Sequence, residues 1–222
     1  MFYITGDTHG RIDIAKLNKL KNIDHTDYII ILGDVGLFWY GDDRDNYVID
    51  IMLSMPCPVL WLDGNHENFD NIAKLPITEN WNGGRVQIYK DKIIHLMRGE
   101  VYTIDGTTFF CFGGGLSIDK NRREEGVSWW PQEMPSKEEY ENGMKNLLEV
   151  EYEVDYVLTH TAPNFICKQL VPHMYPGEEK LQNYLGVMAD TLTFKRWYFG
   201  HWHFDKTIDN FYALYNNIEM VE

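Results

Sequence analysis

The chain has 222 residues, 44% hydrophobic and 24% charged, enough to build a sizeable core within one domain. Its net charge of −14, from 20 basic against 34 acidic side chains, opposes broad, sequence-independent binding to nucleic acid. No apolar run approaches the ~20 residues that span a bilayer. The three cysteines (Cys57, Cys111, Cys167) lack CxxC spacing, which argues against disulfides or a zinc-thiolate site. A phosphate substrate stays compatible with the charge, because bound divalent cations reverse the potential inside a single pocket.

The first residues, Met1-Phe2-Tyr3-Ile4, enter a strand without a basic leader, so the cytoplasm is the expected compartment. Phe2–Thr5 reads as a strand, Gly6-Asp7-Thr8-His9-Gly10 as a turn, and Ile12–Lys21 as a helix with Ile14, Leu17 and Leu20 on one face. Tyr28–Leu32 and Val59–Leu62 are continuous apolar runs ending in Gly33-Asp34 and in Asp63-Gly64-Asn65-His66. Such runs, buried on both faces and separated by helical segments, indicate an α/β arrangement with parallel strands. Val48–Leu53 belongs to a connecting helix that stops before Pro56.

From about residue 85 the pattern becomes β-rich. Val86–Tyr89, Ile93–Leu96, Glu100–Ile104 and Thr108–Phe112 suggest hairpins joined by turns such as Asp105-Gly106. Gly113-Gly114-Gly115 opens a polar stretch reaching about Glu133. Ser136 with Glu139 forms a capping box for a helix running to about Glu149. Strands return at Tyr156–Thr159, Trp197–Phe199 and Phe211–Tyr215. No repeat, linker or low-complexity segment divides the chain, so 1–222 is expected to be a single domain.

Five short blocks end these apolar runs: Asp7-x-His9, Gly33-Asp34, Gly64-Asn65-His66-Glu67, His160 and Gly200-His201-Trp202-His203. Each side chain in them is an oxygen or nitrogen metal ligand or a proton donor. If strand geometry persists into the turns, Asp7 and His9, like His201 and His203, point to the same side. The adjoining Gly6, Gly33, Gly64 and Gly200 let the backbone bend sharply and leave room for a metal. Taken singly, any block is weak evidence, since a lone core histidine is more often hydrogen-bonded than metal-bound.

In type, order and strand-end context, the five blocks together resemble the calcineurin-like metallophosphoesterase superfamily. The resemblance implies a two-sheet β-sandwich flanked by helices (α/β/β/α) and a dinuclear metal centre that hydrolyses phosphoric esters with a metal-bridging hydroxide. It implies that Asp7, His9, Asp34 and His203 hold one cation and that Asp34, Asn65, His160 and His201 hold the other. The metals admit manganese, iron, zinc, nickel or cobalt, because a mixed Asp/Asn/His shell without thiolate does not select among them. His66 is implied to protonate the leaving oxygen or to stabilise transition-state charge, the alternative being a buttress to the metal shell. Glu67 reads as a hydrogen-bond partner behind the ligands.

Protein serine/threonine phosphatases continue the second block as GDxxDRG, whose aspartate orients the histidine and whose arginine binds phosphate. Leu37 and Phe38 stand at those places and can do neither, which argues against that subtype. A phosphate-binding cation must then come from elsewhere, and the candidates are Lys120, Arg122 and Arg123. An exposed basic cluster balanced by Glu124 and Glu125 is the other reading. Trp129 and Trp130 can stack on a nucleobase or pack as a core or lid, the second being the stronger reading, and Trp39 and Tyr40 can line the pocket or likewise serve packing. His25 reads as a surface residue and His95 as a strand residue, while His173 lies in a loop from Pro172 to Pro176 with possible substrate contact. The expected partner is a small phosphate ester, monoester or diester, with no membrane. A non-catalytic scaffold of the same fold is the competing class, although such a module would typically have lost ligands.

Overall fold

A computed structural model describes residues 1–172 and 176–222. Two mixed sheets stack face to face with helices on both outer sides. Phe2–Thr5 (β1), Tyr28–Ile31 (β2), Val59–Trp61 (β3) and Ile93–Leu96 (β6) run parallel at the centre of the first sheet. Ile218–Val221 (β13) closes one edge antiparallel to β1. Gly84–Tyr89 (β5) and Ile77–Trp81 (β4) extend the other edge. In the second sheet, Thr107–Phe112 (β8), Tyr156–Thr159 (β9), Arg196–Phe199 (β10) and Phe211–Ala213 (β12) are parallel. Glu100–Ile104 (β7) and Lys206–Ile208 (β11) form its antiparallel edges.

Alternation along the central strands explains the layering, since successive side chains face opposite sides of a sheet. Ile30 and Leu32 point into the core between the sheets, where they meet Phe109, Cys111, Leu158 and Tyr198. Ile29 and Ile31 point outward to the cluster built with the helices Asn46–Ser54 (α1) and Phe69–Ile72 (α2) and with Ile14 and Leu17. In the same way Phe110 and Phe112 face the outer helices Lys137–Glu149 (α3), Asn164–Leu170 (α4) and Glu179–Thr191 (α5). The architecture is thus the α/β/β/α sandwich implied by the resemblance.

Several local expectations need correction. Ile12–Lys21 is not an α-helix; only Ile14–Lys19 is helical, as a 3-10 segment. The β-rich region is not one run of hairpins, because β6 and β7 lie in different sheets and the chain crosses between them at 97–99. Strand β12 stops at Ala213, short of Tyr215. Strands β4, β11 and β13 at the sheet edges add to those read from the sequence. The helix α1 and the Ser136–Glu139 capping box at the start of α3 are present, with Ser136 Oγ accepting from Glu139 N at 3.2 Å. The three cysteines are free and buried. Among the described residues, no helix is long and apolar enough to cross a membrane. His173 lies outside the described residues.

Candidate metal centre

The blocks converge at one end of the sandwich, each on the loop that follows a parallel strand: β1, β2, β3, β9 and β10. Brought together there, single ligand atoms of Asp7, His9, Asp34 and His203 lie within 4.8 Å of one another. His203 Nε2 is 3.1 Å from Asp7 Oδ2, and His9 Nε2 is 3.5 Å from Asp34 Oδ2. On the other side of Asp34, His160 Nε2 lies 3.4 Å from Oδ1 and 3.1 Å from Asn65 Oδ1. The His201 ring packs edge-on against His160 at 4.9 Å. Asp34 therefore turns one carboxylate oxygen toward each group.

Strand alternation does not produce this pairing. β1 ends at Thr5 and β10 at Phe199, so the ligand loops have left the pleat. His9, Asp34, His201 and His203 all have positive φ, at 42°, 49°, 68° and 53°. That left-handed backbone is uncommon for residues with a Cβ and persists where surrounding structure enforces it. One consequence is that His201 and His203 face different partners.

The glycines also act differently from expectation. Of Gly6, Gly33, Gly64 and Gly200, only Gly33 has a positive φ, +92°. The others are excluded from carrying a side chain by contact: a Cβ on Gly64 would lie 2.1 Å from Asp34 Oδ1, and one on Gly200 2.3 Å from Asp7 Oδ1. They let the ligand carboxylates approach neighbouring backbone closely.

The polar chemistry fits cations. His160 Nδ1 faces the carbonyl of Leu32 at 2.6 Å and must carry a proton to do so, which leaves a lone pair on Nε2 of the neutral ring. Asn65 Nδ2 donates to Ser117 Oγ, so Oδ1 faces that same lone pair at 3.1 Å. Two acceptors at that distance need a proton or a metal ion between them. Asp7 Oδ2 is likewise buried, with His203 Nε2 3.1 Å away but outside hydrogen-bond geometry. A shell of Asp, Asn and His atoms whose lone pairs face inward suits divalent cations.

The buried carboxylates and imidazoles of the cluster shift one another's titration. Burial pushes the Asp7 and Asp34 carboxyls up, but the surrounding histidines overcome it and hold both below the ordinary carboxylate range. Burial lowers the His9 imidazole, yet Asp34, Asp7 and Asp13 raise it to about 9. His160 is also raised, by Asp34 and Asp7 against its burial, whereas burial dominates at His201 and lowers it. Burial, then Asp34, pushes Glu67 well above the ordinary range. Its Oε1 accepts from Val35 N at 2.8 Å, tying the Asp34 loop to the Asn65 loop.

His66 donates its backbone N–H to Asp34 Oδ1 at 2.7 Å and lines the two cavities that flank the site. One cavity, about 390 Å³, has Leu116, Ile118 and Trp202 on its walls. The other, about 430 Å³, has Trp39, Tyr40, Arg11 and Arg44. Among the five basic and aromatic candidates from the Gly113 loop, Arg123 alone lines either of these two cavities. Arg122 is exposed to solvent, and Lys120 sits over the half-buried Trp129 ring at 5.7 Å. Trp130 is 2% exposed, donates to Asp70 Oδ2 and packs edge-on against Trp39, so it belongs to the packing beneath that loop. Leu37 and Phe38 are buried in the outer core.

Several residues around the site were not singled out from sequence. Asp13 Oδ2 lies 3.0 Å from His9 Nδ1 and accepts from Tyr215 Oη, whose ring stacks on His203 at 5.1 Å. Lys16, buried under the turn, donates to the carbonyls of Gly6, Asp7 and Tyr215 at 2.5–2.8 Å. Glu178 accepts from Leu116 N and lies 3.6 Å from His201 Nε2. The available sequence signals were slight: Asp13 follows His9 by four residues, and Lys16 stands inside the otherwise apolar run Ile14-Ala15-Lys16-Leu17. Glu178 reaches the site only through tertiary folding.

The model of one protein family, calcineurin-like phosphoesterase, matches residues 1–205, which include every ligand candidate. The chain belongs to the calcineurin-like phosphoesterase family. It is accordingly a metal-dependent phosphoesterase, a hydrolase of phosphoric esters. Among solved structures, it is similar to a phosphopantetheinyl hydrolase from Mycobacterium tuberculosis, at 13% identity and a TM-score of 0.53, over 96% of this chain and 87% of that one. It is also similar to a putative 5′-nucleotidase from Staphylococcus aureus in complex with alpha-ketoglutarate, at 16% identity and a TM-score of 0.48, over 96% of this chain and 48% of that one. None of the curated proteins matches the sequence. At 13% identity the likeness to the phosphopantetheinyl hydrolase supports the fold alone.

Proposed function

We propose that this phosphoesterase works with two cations, one held by Asp7, His9, Asp34 and His203 and the second by Asp34, Asn65, His160 and His201. The observation that carries the reading is the placement of Asp34, whose Oδ2 lies 3.5 Å from His9 and whose Oδ1 lies 3.4 Å from His160. When bound there, divalent cations supply Lewis acidity, making water nucleophilic near neutral pH and neutralising phosphate charge.

The protein's own residues account for the remainder. Asp13 and the Leu32 carbonyl fix the proton on the far nitrogen of His9 and His160, so each ring turns its Nε2 lone pair inward. Ser117 aims the Asn65 amide oxygen. His66 lines both cavities, which suits it to act on the leaving oxygen of an ester bound there. Cavities on both sides of His66 favour an ester with groups on two sides of phosphorus, a small phosphodiester, over a bare monoester. The aromatic and apolar walls suit a substituent with a flat or aliphatic body.

Elemental analysis and turnover test the proposal together. The purified chain should bind two equivalents of manganese, and hydrolyse bis(p-nitrophenyl) phosphate and p-nitrophenyl phosphate. Asp34→Asn should lose the second equivalent and nearly all turnover. Stoichiometric metal without turnover of either ester would favour the scaffold, and a single equivalent in the active parent would refute the dinuclear assignment.

A further inference from the structure

We propose that Arg123 is the positioning residue of His66, holding its imidazole in the tautomer that offers a neutral Nε2–H to the leaving oxygen. The proposal rests on the reading of the site as a phosphoesterase centre with His66 at the leaving group. Arg123 Nη1 lies 3.0 Å from His66 Nδ1. A guanidinium has only N–H groups to give and is not deprotonated in proteins, so Nδ1 must be the acceptor. The single N–H of the neutral ring then sits on Nε2. Among the described residues, Nε2 makes no hydrogen bond, which leaves its proton for a ligand.

The guanidinium is fixed in its turn. Its Nε donates to Asp119 Oδ1 at 2.7 Å, and Nη1 also donates to the carbonyl of Ser128 at 3.1 Å. Both anchors belong to the loop between Gly113 and Trp130, which is folded back on itself by the N–H groups of Val127 and Ser128 on the Glu124 carbonyl. Arg123 is thus presented by a loop built around it.

This contact differs in kind from a carboxylate behind a histidine. A carboxylate would take an N–H from Nδ1 and stabilise the imidazolium. An arginine does the reverse on both counts. His66 is then a neutral donor that stabilises charge on the leaving oxygen as the P–O bond breaks, and it keeps its proton. The new P–O bond forms to water, and the proton that water surrenders ends on the leaving oxygen. Leu37 and Phe38 are buried in the outer core and offer His66 no carboxylate.

The test compares two esters in the manganese-loaded enzyme, with p-nitrophenyl phosphate as the good leaving group and phenyl phosphate as the poor one. Arg123→Met should lower kcat on phenyl phosphate by about 10²-fold, as loss of one oriented donor does, while p-nitrophenyl phosphate falls by only about threefold and KM stays nearly constant. In a His66→Ala background, Arg123→Met should have little further effect, because the two residues act as one unit. ¹⁵N NMR of the metal-free parent should show His66 protonated on Nε2 with Nδ1 bare. Equal losses on both esters with a raised KM would make Arg123 a substrate clamp and overturn the proposal, as would an Nδ1-protonated His66. If neither ester turned over, the role would fall with the site reading, and the NMR signature would still show whether the Arg123–His66 contact had failed as well.

Discussion

Gly64→Ala isolates the dependence of the site on close backbone approach. The residue has no positive φ, so alanine is compatible with its backbone and the perturbation is steric. The added Cβ would lie 2.1 Å from Asp34 Oδ1, 2.5 Å from Asp34 N and 2.8 Å from His160 Cε1. Ordinary contact begins near 3.4 Å, so the Asp34 carboxylate and backbone must retreat by roughly an ångström in a close-packed interior. Overpacking of this size costs about 1–3 kcal/mol. A displacement of about 1 Å at a reacting centre lowers the rate by ~10²-fold. Calorimetric manganese titration, urea denaturation and turnover of p-nitrophenyl phosphate should therefore report modest destabilisation, weakened metal binding and a rate near one per cent of the parent. Gly106→Ala serves as the control: its Cβ meets nothing within 4 Å, although its φ of +84° carries backbone strain. It should lose stability alone. A Gly64→Ala protein with parental metal affinity and rate would refute the reasoning.

Replacing Asp13 by Asn removes the carboxylate behind His9, and should weaken metal binding by about 10–100-fold in calorimetry while leaving the fold intact. Lys16→Met deprives three carbonyls of their donor, those of Gly6, Asp7 and Tyr215. Unsatisfied buried groups cost about 1–3 kcal/mol each, with water able to reach some of them, so urea denaturation should report a loss of about 3 kcal/mol. Acid should act through Asp63: burial pushes its carboxyl up, but Arg98 and His95 more than compensate and hold it well below the ordinary range. A depressed folded pKa gives stability that is complete above the unfolded value of about 3.9 and is lost as pH falls toward the folded value. The stability difference between parent and Asp63→Asn should therefore shrink from pH 5 to pH 3; a constant difference would show that the pair is not ionised in this way.

The strands buried on both faces were legible because their sequences are nearly continuous. Tyr28–Ile31, Val59–Trp61 and Tyr156–Thr159 have no polar interruption, and ligand blocks follow them directly. Strands β4 and β11 were not, since Ile-Thr-Glu-Asn-Trp and Lys-Thr-Ile lie mostly exposed at sheet edges and carry no apolar alternation. The residue types of the site could be read from the blocks, but its geometry could not. Positive φ at four ligand residues arises from tertiary packing, and it decides that His201 turns toward His160 while His203 turns toward Asp7. The loop 116–130 shows the same limit: Arg122 and Arg123 are adjacent in sequence, and only the anchors on Asp119 and Ser128 bring one of them to His66.

The two proposed ligand groups draw on both sheets, which would link catalysis to the packing between them. Asp7, Asp34 and Asn65 follow strands of the first sheet, while His160, His201 and His203 follow strands of the second. Hydrogen bonds cross the seam at the site itself, from His201 N to Asp7 Oδ1 and between His160 Nδ1 and the Leu32 carbonyl. Beneath them, Leu32, Leu62, Leu158 and Leu214 belong to the apolar core between the sheets, which sets the distance across the seam. Two buried carboxylates, Asp7 and Asp34, repel one another there, and the surrounding histidines together with the backbone N–H groups of His201 and His66 offset that repulsion. A cation in each group would replace those protons and pull the same loops together, so on the proposed assignment metal binding and inter-sheet stability would draw on the same contacts. That coupling would give a physical reason why the proposed ligands stand on short loops from central strands: a ligand on a freely moving segment could not hold two like charges at the spacing that the core imposes.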